Sequence, residues 1–142
     1  MATLGPVGRT PVAPGTAASA LTVLALWLLG LSPVALTLVL VGVTGLGVWA
    51  ADGAEHALGG KDPGAIVIDE VAGMTLSALL VPPTVPALLA AFVLFRLFDV
   101  LKPFPANVSQ RLRGGLGVMV DDLVAGLYAL ALVVLARFLG WL

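Results

Sequence analysis

The chain has 142 residues, of which 60% are hydrophobic and only 11% are charged, and its net charge at pH 7 is −1. A soluble domain is about 45–50% apolar, so this composition indicates a membrane protein. The near-neutral charge argues against a nucleic-acid partner, which requires a basic surface. The sequence has no cysteine, which excludes disulfides, thiolate nucleophiles and thiolate metal ligands.

The acidic residues lie in two charged segments, residues 52–70 and 96–122, which long uncharged runs precede and separate. Residues 10–51 and 71–95 carry no charge at all. The first of these runs is long enough for two membrane crossings at roughly 20 residues each. We therefore predict one membrane-embedded domain over residues 1–142, an all-α polytopic bundle of about four to five transmembrane helices with charged cytoplasmic loops.

Five apolar segments, separated by prolines or charged residues, predict five helices in chain order. The predicted ranges are 17–31, 34–51, 63–81, 84 or 86 to 101, and 121 or 122 to about 140. Thr16 is the expected N-cap of the first helix, Asp62 of the third, and Asp121 or Asp122 of the fifth. The proline pair at 103 and 105 ends the fourth helix, because proline cannot continue a helix.

The basic residues predict the orientation, since short cytoplasmic loops retain Lys and Arg. With the N-terminus inside, six of the seven basic residues are cytoplasmic: Arg9, Lys61, Arg96, Lys102, Arg111 and Arg113. Only Arg137 then lies on the other side. The same orientation brings both charged segments to one membrane face, so we expect a functional site there.

Asp69 and Glu70 are predicted to lie almost two turns inside the third helix, about 10 Å along its axis. Carboxylates within a membrane span are costly, and they usually face a water-filled cavity, a cation or a partner. The alternative is a polar helix end that reaches back to water, which these short side chains do poorly. Gly73 and Ser77 follow Glu70 on the same face, where small residues allow another helix to pack closely.

A second polar stripe lies near the end of the fourth helix, where Arg96, Asp99 and Lys102 recur every three residues. Taken alone, this stripe is equally explained by a structural ion pair. Asp121 and Asp122 begin the fifth helix on the same side, so we expect five carboxylates to converge: Asp69, Glu70, Asp99, Asp121 and Asp122. Oxygen ligands alone favour a hard divalent cation, most naturally Mg²⁺.

Basic residues around these carboxylates indicate a phosphate ligand. Arg96, Lys102, Arg111 and Arg113 can neutralise phosphoryl oxygens together with a metal ion. The glycines at 114, 115 and 117 form either an anion-binding turn or merely a turn. The combination predicts metal-assisted phosphate hydrolysis, with a free carboxylate taking the proton from water. A carboxylate nucleophile that forms a phospho-aspartyl intermediate is an open alternative.

Two stretches resemble the phosphatidylglycerophosphatase A family: residues 61–74, KDPGAIVIDEVAGM, and residues 95–126, FRLFDVLKPFP followed by GGLGVMVDDLVAG. Residues 14–16, PGT, are similar to the opening element of that family. The resemblance implies a multi-pass enzyme of the bacterial cytoplasmic (inner) membrane. Its implied reaction is the Mg²⁺-dependent hydrolysis of phosphatidylglycerol phosphate to phosphatidylglycerol and inorganic phosphate, with the active site facing the cytoplasm.

The resemblance also implies roles for individual residues. The family's acidic pattern falls on the five carboxylates named above. Four of them are expected to be catalytic: Asp69, Glu70, Asp99 and Asp122. The family's basic pattern falls on Arg96, Lys102 and Arg111. The chain departs from the pattern at residue 18 and after Pro105, where Asn107 and Gln110 replace a basic and an acidic residue. If that pair binds the headgroup, the substrate preference has drifted; if it is only an ion pair, its joint loss is nearly neutral.

Three other functions remain to be compared with the phosphatase. A small cation transporter would use the carboxylates as its path, but transport sites usually lie near the bilayer midplane. A non-catalytic scaffold would bind a cytoplasmic partner through the charged segments, and it predicts that carboxylate-to-amide changes leave the lipid composition unchanged. A phosphatidyltransferase normally carries a longer Asp-Gly-x-x-Ala-Arg pattern, which the sequence lacks.

Overall fold

A computed structural model describes residues 13–58, 67–106 and 115–142. Within these ranges, only the backbone is described for residues 51–58 and 115. These described residues form five helices: α1 Pro14–Leu29, α2 Pro33–Leu58, α3 Ile68–Ser77, α4 Val85–Leu101 and α5 Gly115–Phe138. The described ranges contain no β-strand, so the predicted all-α class is confirmed.

The first, second and fourth helices agree with the predictions except at their ends. α4 has the predicted limits, and α2 runs on to Leu58. α1 begins at Pro14 rather than at residue 17, because proline is preorganised for the first helical position. The N-cap of α1 is therefore Ala13 and not Thr16. Gly30 ends α1 in the left-handed conformation, where glycine has no steric penalty.

The prediction for the third helix was wrong, because α3 begins at Ile68 and ends at Ser77. Val67, with a φ of −136° and a ψ of 8°, is the non-helical residue before it. The predicted cap Asp62 lies outside the described residues. Asp69 and Glu70 are therefore first-turn residues of a short helix rather than residues two turns inside a long one.

The prediction for the start of the fifth helix was also wrong. α5 already begins at Gly115, so Asp121 and Asp122 lie in its second turn and do not cap it. Gly115 and Gly117 are helical and form no anion-binding turn. Burial of Val118 and Met119 against the other helices explains why the helix extends through glycines of low helix propensity.

The short helix α3 lies at the centre of the bundle and packs against all four other helices. Its ten residues span only about 15 Å. The N-termini of α1 and α3 and the C-terminus of α4 lie together at one end, which we call the site end. At the opposite end Arg137 donates a hydrogen bond of 3.3 Å to the backbone carbonyl of Leu80.

α3 and α5 cross with their backbones in contact at two glycines. A Cβ atom placed on Gly126 would lie 2.4 Å from the carbonyl oxygen of Gly73. A Cβ on Gly73 would lie 2.6 Å from the carbonyl oxygen of Asp122 and 2.5 Å from the ring of Phe95. Neither position accepts a side chain without movement of the helices. The predicted close packing at Gly73 is therefore confirmed.

Two hydrophobic clusters hold the bundle together. The larger one joins all five helices and includes the buried Met74, Phe95 and Val133. The smaller one lies between α2, α3 and the start of α5, and it contains Ile68 and Met119. In a bilayer such packing stabilises the bundle mainly through van der Waals contacts between the helices.

Two of the described helices are long and apolar enough to cross a membrane, over Pro33–Ala50 and Leu116–Phe138. α1 and α4 are shorter, at about 24 and 26 Å, and α3 reaches only half of the roughly 30 Å hydrocarbon layer. α2 exposes a row of large apolar side chains, with Val34 and Leu38 about 70% exposed. The structure thus supports two spanning helices, fewer than the four to five expected.

Candidate active site

Three carboxylates from two helices meet at the site end. Asp69 and Glu70 come from the first turn of α3, and Asp122 comes from the second turn of α5. One oxygen of each lies within 4.8 Å of the others, a grouping that could hold a metal ion. Asp69 and Asp122 are only 6% and 3% exposed. We call this group the acidic trio.

The glycine crossing explains why these carboxylates meet. Gly73 follows Asp69 by four residues, and Gly126 follows Asp122 by four residues, about one helical turn in each case. The crossing therefore lies one turn beyond the acidic trio on both helices. Because no side chain separates α3 from α5 at the crossing, their acidic residues are held at close range.

The acidic trio fits a hard metal ion. Glu70 Oε2 and Asp122 Oδ2 are buried and have no hydrogen-bond partner within the described part of the chain. Buried, unsatisfied carboxylate oxygens are costly, and three carboxylates this close repel one another. A divalent cation bound by oxygen ligands would remove both penalties.

Arg96 and Asp99 form an ion pair of 2.7 Å on the last turns of α4. The structural pair considered from the sequence is thus present, and it borders the acidic trio. Asp99 is close enough to Glu70 and Asp122 to interact with both electrostatically. The side chain of Arg96 is 20% exposed, while its Nη1 atom is buried beside Asp99.

Lys102 connects α4 to α5. Its ammonium donates a hydrogen bond to Asp121 Oδ2 and lies 4.0 Å from Asp99 Oδ1. Burial lowers the pKa of this ammonium, but the hydrogen bond and the neighbouring carboxylates outweigh burial and raise the pKa above its ordinary value. Lys102 also has the left-handed φ of 43°, which is unfavourable for a residue with a Cβ.

Tyr128 holds the turn that follows Lys102, a role that no motif in the sequence indicates. Its hydroxyl donates a hydrogen bond of 2.8 Å to the carbonyl oxygen of Phe104, and its ring lies 5.5 Å from that of Phe98. These contacts fix the end of α4 to α5. They support the position of Lys102 without touching the acidic trio.

Gly15, in the first turn of α1, also borders the site. A Cβ on Gly15 would lie 2.0 Å from Glu70 Oε1 and 3.2 Å from Arg96 Nη1. The PGT element at residues 14–16 is the sequence signal for this contact, but nothing in that element connects it with Glu70. α1 therefore contributes a backbone surface to the site.

The structure distributes the predicted site residues as follows. Asp69, Glu70 and Asp122 form the acidic trio, whereas Asp99 and Asp121 contact Arg96 and Lys102 respectively. Arg111 and Arg113 lie outside the described residues, as do Asn107 and Gln110.

A buried acidic trio beside an arginine and a lysine offers the ligand types that a metal-dependent phosphoric monoester hydrolase requires. Comparison with known proteins shows the same class. The chain belongs to the phosphatidylglycerophosphatase A family, whose sequence profile matches residues 1–137.

Two similar proteins carry the name of this family, and a third carries a different phosphatase name. The chain is 38% identical to phosphatidylglycerophosphatase A of Haemophilus influenzae, covering 85% of this chain and 77% of the relative. It is 35% identical to the Escherichia coli protein of the same name, covering 84% and 71%. It is also 37% identical to a Bacteroides thetaiotaomicron protein named as a putative phosphatidylinositol-3-phosphatase, covering 92% and 87%. No solved structure matches the chain significantly.

Proposed function

We propose that this protein hydrolyses phosphatidylglycerol phosphate to phosphatidylglycerol and inorganic phosphate with Mg²⁺, at the cytoplasmic face of the bacterial inner membrane. The observation that carries the proposal is the acidic trio beside Arg96 and Lys102 in a chain of this family. The carboxylates supply metal ligands, and the cations supply charge complementary to a phosphate.

Asp69, Glu70 and Asp122 would hold the metal, because their oxygens lie within 4.8 Å of one another and two of those residues have unsatisfied buried oxygens. Mg²⁺ bound there would polarise the phosphoryl group and favour attack at phosphorus. A protein site of two or three carboxylates leaves positions for water and phosphate, as Mg²⁺ prefers.

The basic residues would bind the phosphate and set its orientation. Arg96 can offer two parallel N–H donors, and Asp99 fixes its direction through the 2.7 Å ion pair. Lys102 lies between Asp99 and Asp121 and would add a second positive charge. Arg111 and Arg113 remain proposed phosphate ligands. The carboxylates that do not bind metal are candidates for the proton acceptor or the nucleophile.

The exposed apolar surface supports a multi-pass arrangement, and the positions of Lys and Arg in the sequence support a cytoplasmic site end. Trp27 and Trp141 lie towards the opposite end and are 47% and 76% exposed, while Trp49 lies towards the site end of α2 and is 70% exposed. Exposed tryptophans at both ends of an apolar bundle are typical of the two membrane interfaces. The acyl chains of the substrate would then stay in lipid while its headgroup reaches the acidic trio.

Phosphate release from defined lipids tests the proposal. Purified protein in detergent should release phosphate from phosphatidylglycerol phosphate with Mg²⁺ and stop in EDTA. Asp69→Asn, Glu70→Gln and Asp122→Asn should each lower the rate at least about 100-fold, because each removes a metal ligand. Arg137→Gln, at the opposite end, is the matched charge-neutralising control and should retain activity. Full activity in EDTA would refute the metal's role.

A second substrate belongs in the same assay. The Bacteroides thetaiotaomicron relative is named for phosphatidylinositol 3-phosphate, and the similarity covers 92% of this chain. A faster reaction with that lipid than with phosphatidylglycerol phosphate would replace the proposed substrate and leave the metal site intact. Trapping with borohydride, which reduces an acyl phosphate, separates a phospho-aspartyl route from direct attack by water.

A further inference from the structure

Gly15 is the point where α1 meets the candidate active site. It is buried as the second residue of the helix. Its absent side chain leaves space that Glu70 and Arg96 fill: a Cβ there would lie 2.0 Å from Glu70 Oε1, 2.9 Å from Glu70 Cδ and 3.2 Å from Arg96 Nη1. Real Cβ atoms essentially never approach another heavy atom within 3.0 Å.

Backbone conformation does not explain the glycine. Gly15 lies within α1 and lacks the positive φ that distinguishes Gly30 and Gly140. Alanine in an ordinary helical position is more favourable than glycine by up to about 1 kcal/mol. The close approach of the Glu70 carboxylate accounts for a glycine at residue 15.

The clash introduced by a methyl group could not be relieved without consequence at the site. The nearest atom is the end of the flexible Glu70 side chain, so the carboxylate would move aside, and because Glu70 contributes an oxygen to the acidic trio this movement would disturb that grouping. Arg96 is tied to Asp99 at 2.7 Å. α1 itself is anchored one turn later by Ala18 and Ser19, which are 1% and 0% exposed.

We propose that Gly15 is a positioning residue, which allows α1 to seat against Glu70 and thereby fixes the Glu70 carboxylate in the metal-binding position. This inference rests on the proposed metal-dependent function. Gly15 touches no substrate in this arrangement; it acts through Glu70. Substrate affinity should therefore change less than metal affinity.

The test measures Mn²⁺ binding to the purified full chain by electron paramagnetic resonance, with no substrate present, since carboxylate sites for Mg²⁺ also accept Mn²⁺. Gly15→Ala should weaken Mn²⁺ binding about 10- to 100-fold, the usual effect of disturbing a group that orients a metal ligand. Gly42→Ala is the matched control, because a Cβ on Gly42 meets nothing within 4 Å. Its Mn²⁺ affinity should equal that of the wild type.

A double-mutant cycle shows whether the effect passes through Glu70. In a Glu70→Ala background the carboxylate that clashes is gone, so adding Gly15→Ala should cause no further loss of Mn²⁺ affinity. If Gly15→Ala alone fails to fold, the double variant should recover a cooperative thermal transition, because the space is restored.

Two results would overturn the positioning role. One is a Gly15→Ala variant with wild-type Mn²⁺ affinity, and the other is an equal loss of Mn²⁺ affinity on adding Gly15→Ala to the wild type and to Glu70→Ala. Failure of the proposed function is distinguishable from both. In that case wild-type protein would bind Mn²⁺ with the predicted dependence on Gly15 and still release no phosphate from any lipid offered. Wild-type protein that binds no Mn²⁺ would overturn both proposals.

Discussion

Gly126→Ala tests whether the backbone crossing of α3 and α5 assembles the acidic trio. The new Cβ would lie 2.4 Å from the Gly73 carbonyl oxygen and 3.2 Å from Gly73 Cα, both rigid backbone atoms. An ordinary contact begins near 3.4 Å, so the helices must separate by about 1 Å. Asp122 lies one turn away on the same helix and would move with it, away from Asp69.

The expected costs follow from this displacement. Overpacking of this kind destabilises a protein by about 1–3 kcal/mol, which should lower the apparent Tm by roughly 3–10 °C. Mg²⁺ requires ligand distances near 2.0–2.1 Å, so a shift of about 1 Å should weaken metal binding by a factor of ten or more. Helix propensity offsets part of the loss of stability, because alanine is favoured over glycine in a helix.

Thermal unfolding in detergent and Mn²⁺ titration measure the two effects separately. Gly45→Ala, in open space on α2, is the control and should leave both unchanged or raise the Tm slightly. A Gly126→Ala variant with wild-type Tm and wild-type Mn²⁺ affinity would show that the crossing does not determine the spacing of the carboxylates.

The remaining predictions concern the connection between α4 and α5. The pKa of Lys102 is higher in the folded protein than its ordinary value of 10.5. The Lys102 ammonium therefore stabilises the fold fully below pH 10.5, and this stabilisation is lost as the pH rises through the pKa of the folded state. The Tm difference between wild type and Lys102→Met, measured from pH 9 to 12, should therefore shrink at the alkaline end; a constant difference would contradict this. Tyr128→Phe should cost about 0.5–1.5 kcal/mol by removing the hydrogen bond to Phe104, as measured by thermal unfolding. Mn²⁺ affinity should not change in that variant, and a large loss would show that the turn also shapes the acidic trio.

The sequence predicted which acidic residues lie near one another better than it predicted the helices that carry them. Charge-free runs identified the apolar helices, and the clustering of acidic residues identified the site end, because charge in an apolar chain is costly wherever it lacks a function. The start of α3 was misplaced because the Asp62-Pro63 pair has the composition of a helix start. Nothing local in the sequence shows that Val67 leaves the helical conformation.

Only the structure shows which carboxylates form the acidic trio and which contact Arg96 or Lys102 instead. Spacing along one helix indicates which side chains share a face, so the Arg96 and Asp99 pair was predictable. Whether Asp121 or Asp122 faces Asp69 depends on the rotation of α5, and that rotation is set by the contact of Gly126 with Gly73. In a sequence, the only sign of a contact between two backbones is a glycine. Glycine also occurs in tight turns, at helix ends and in bulges, so the sign is ambiguous.

The glycine crossing has a consequence for protein engineering. Two backbones in direct contact leave no rotamers that could adjust their separation, so the distance between the acidic helices is a property of the main chain. Transplanting Asp69, Glu70 and Asp122 onto another four- or five-helix scaffold would reproduce the chemical groups but not their spacing. A successful graft would need to copy the inter-axial distance first and choose the acidic side chains afterwards.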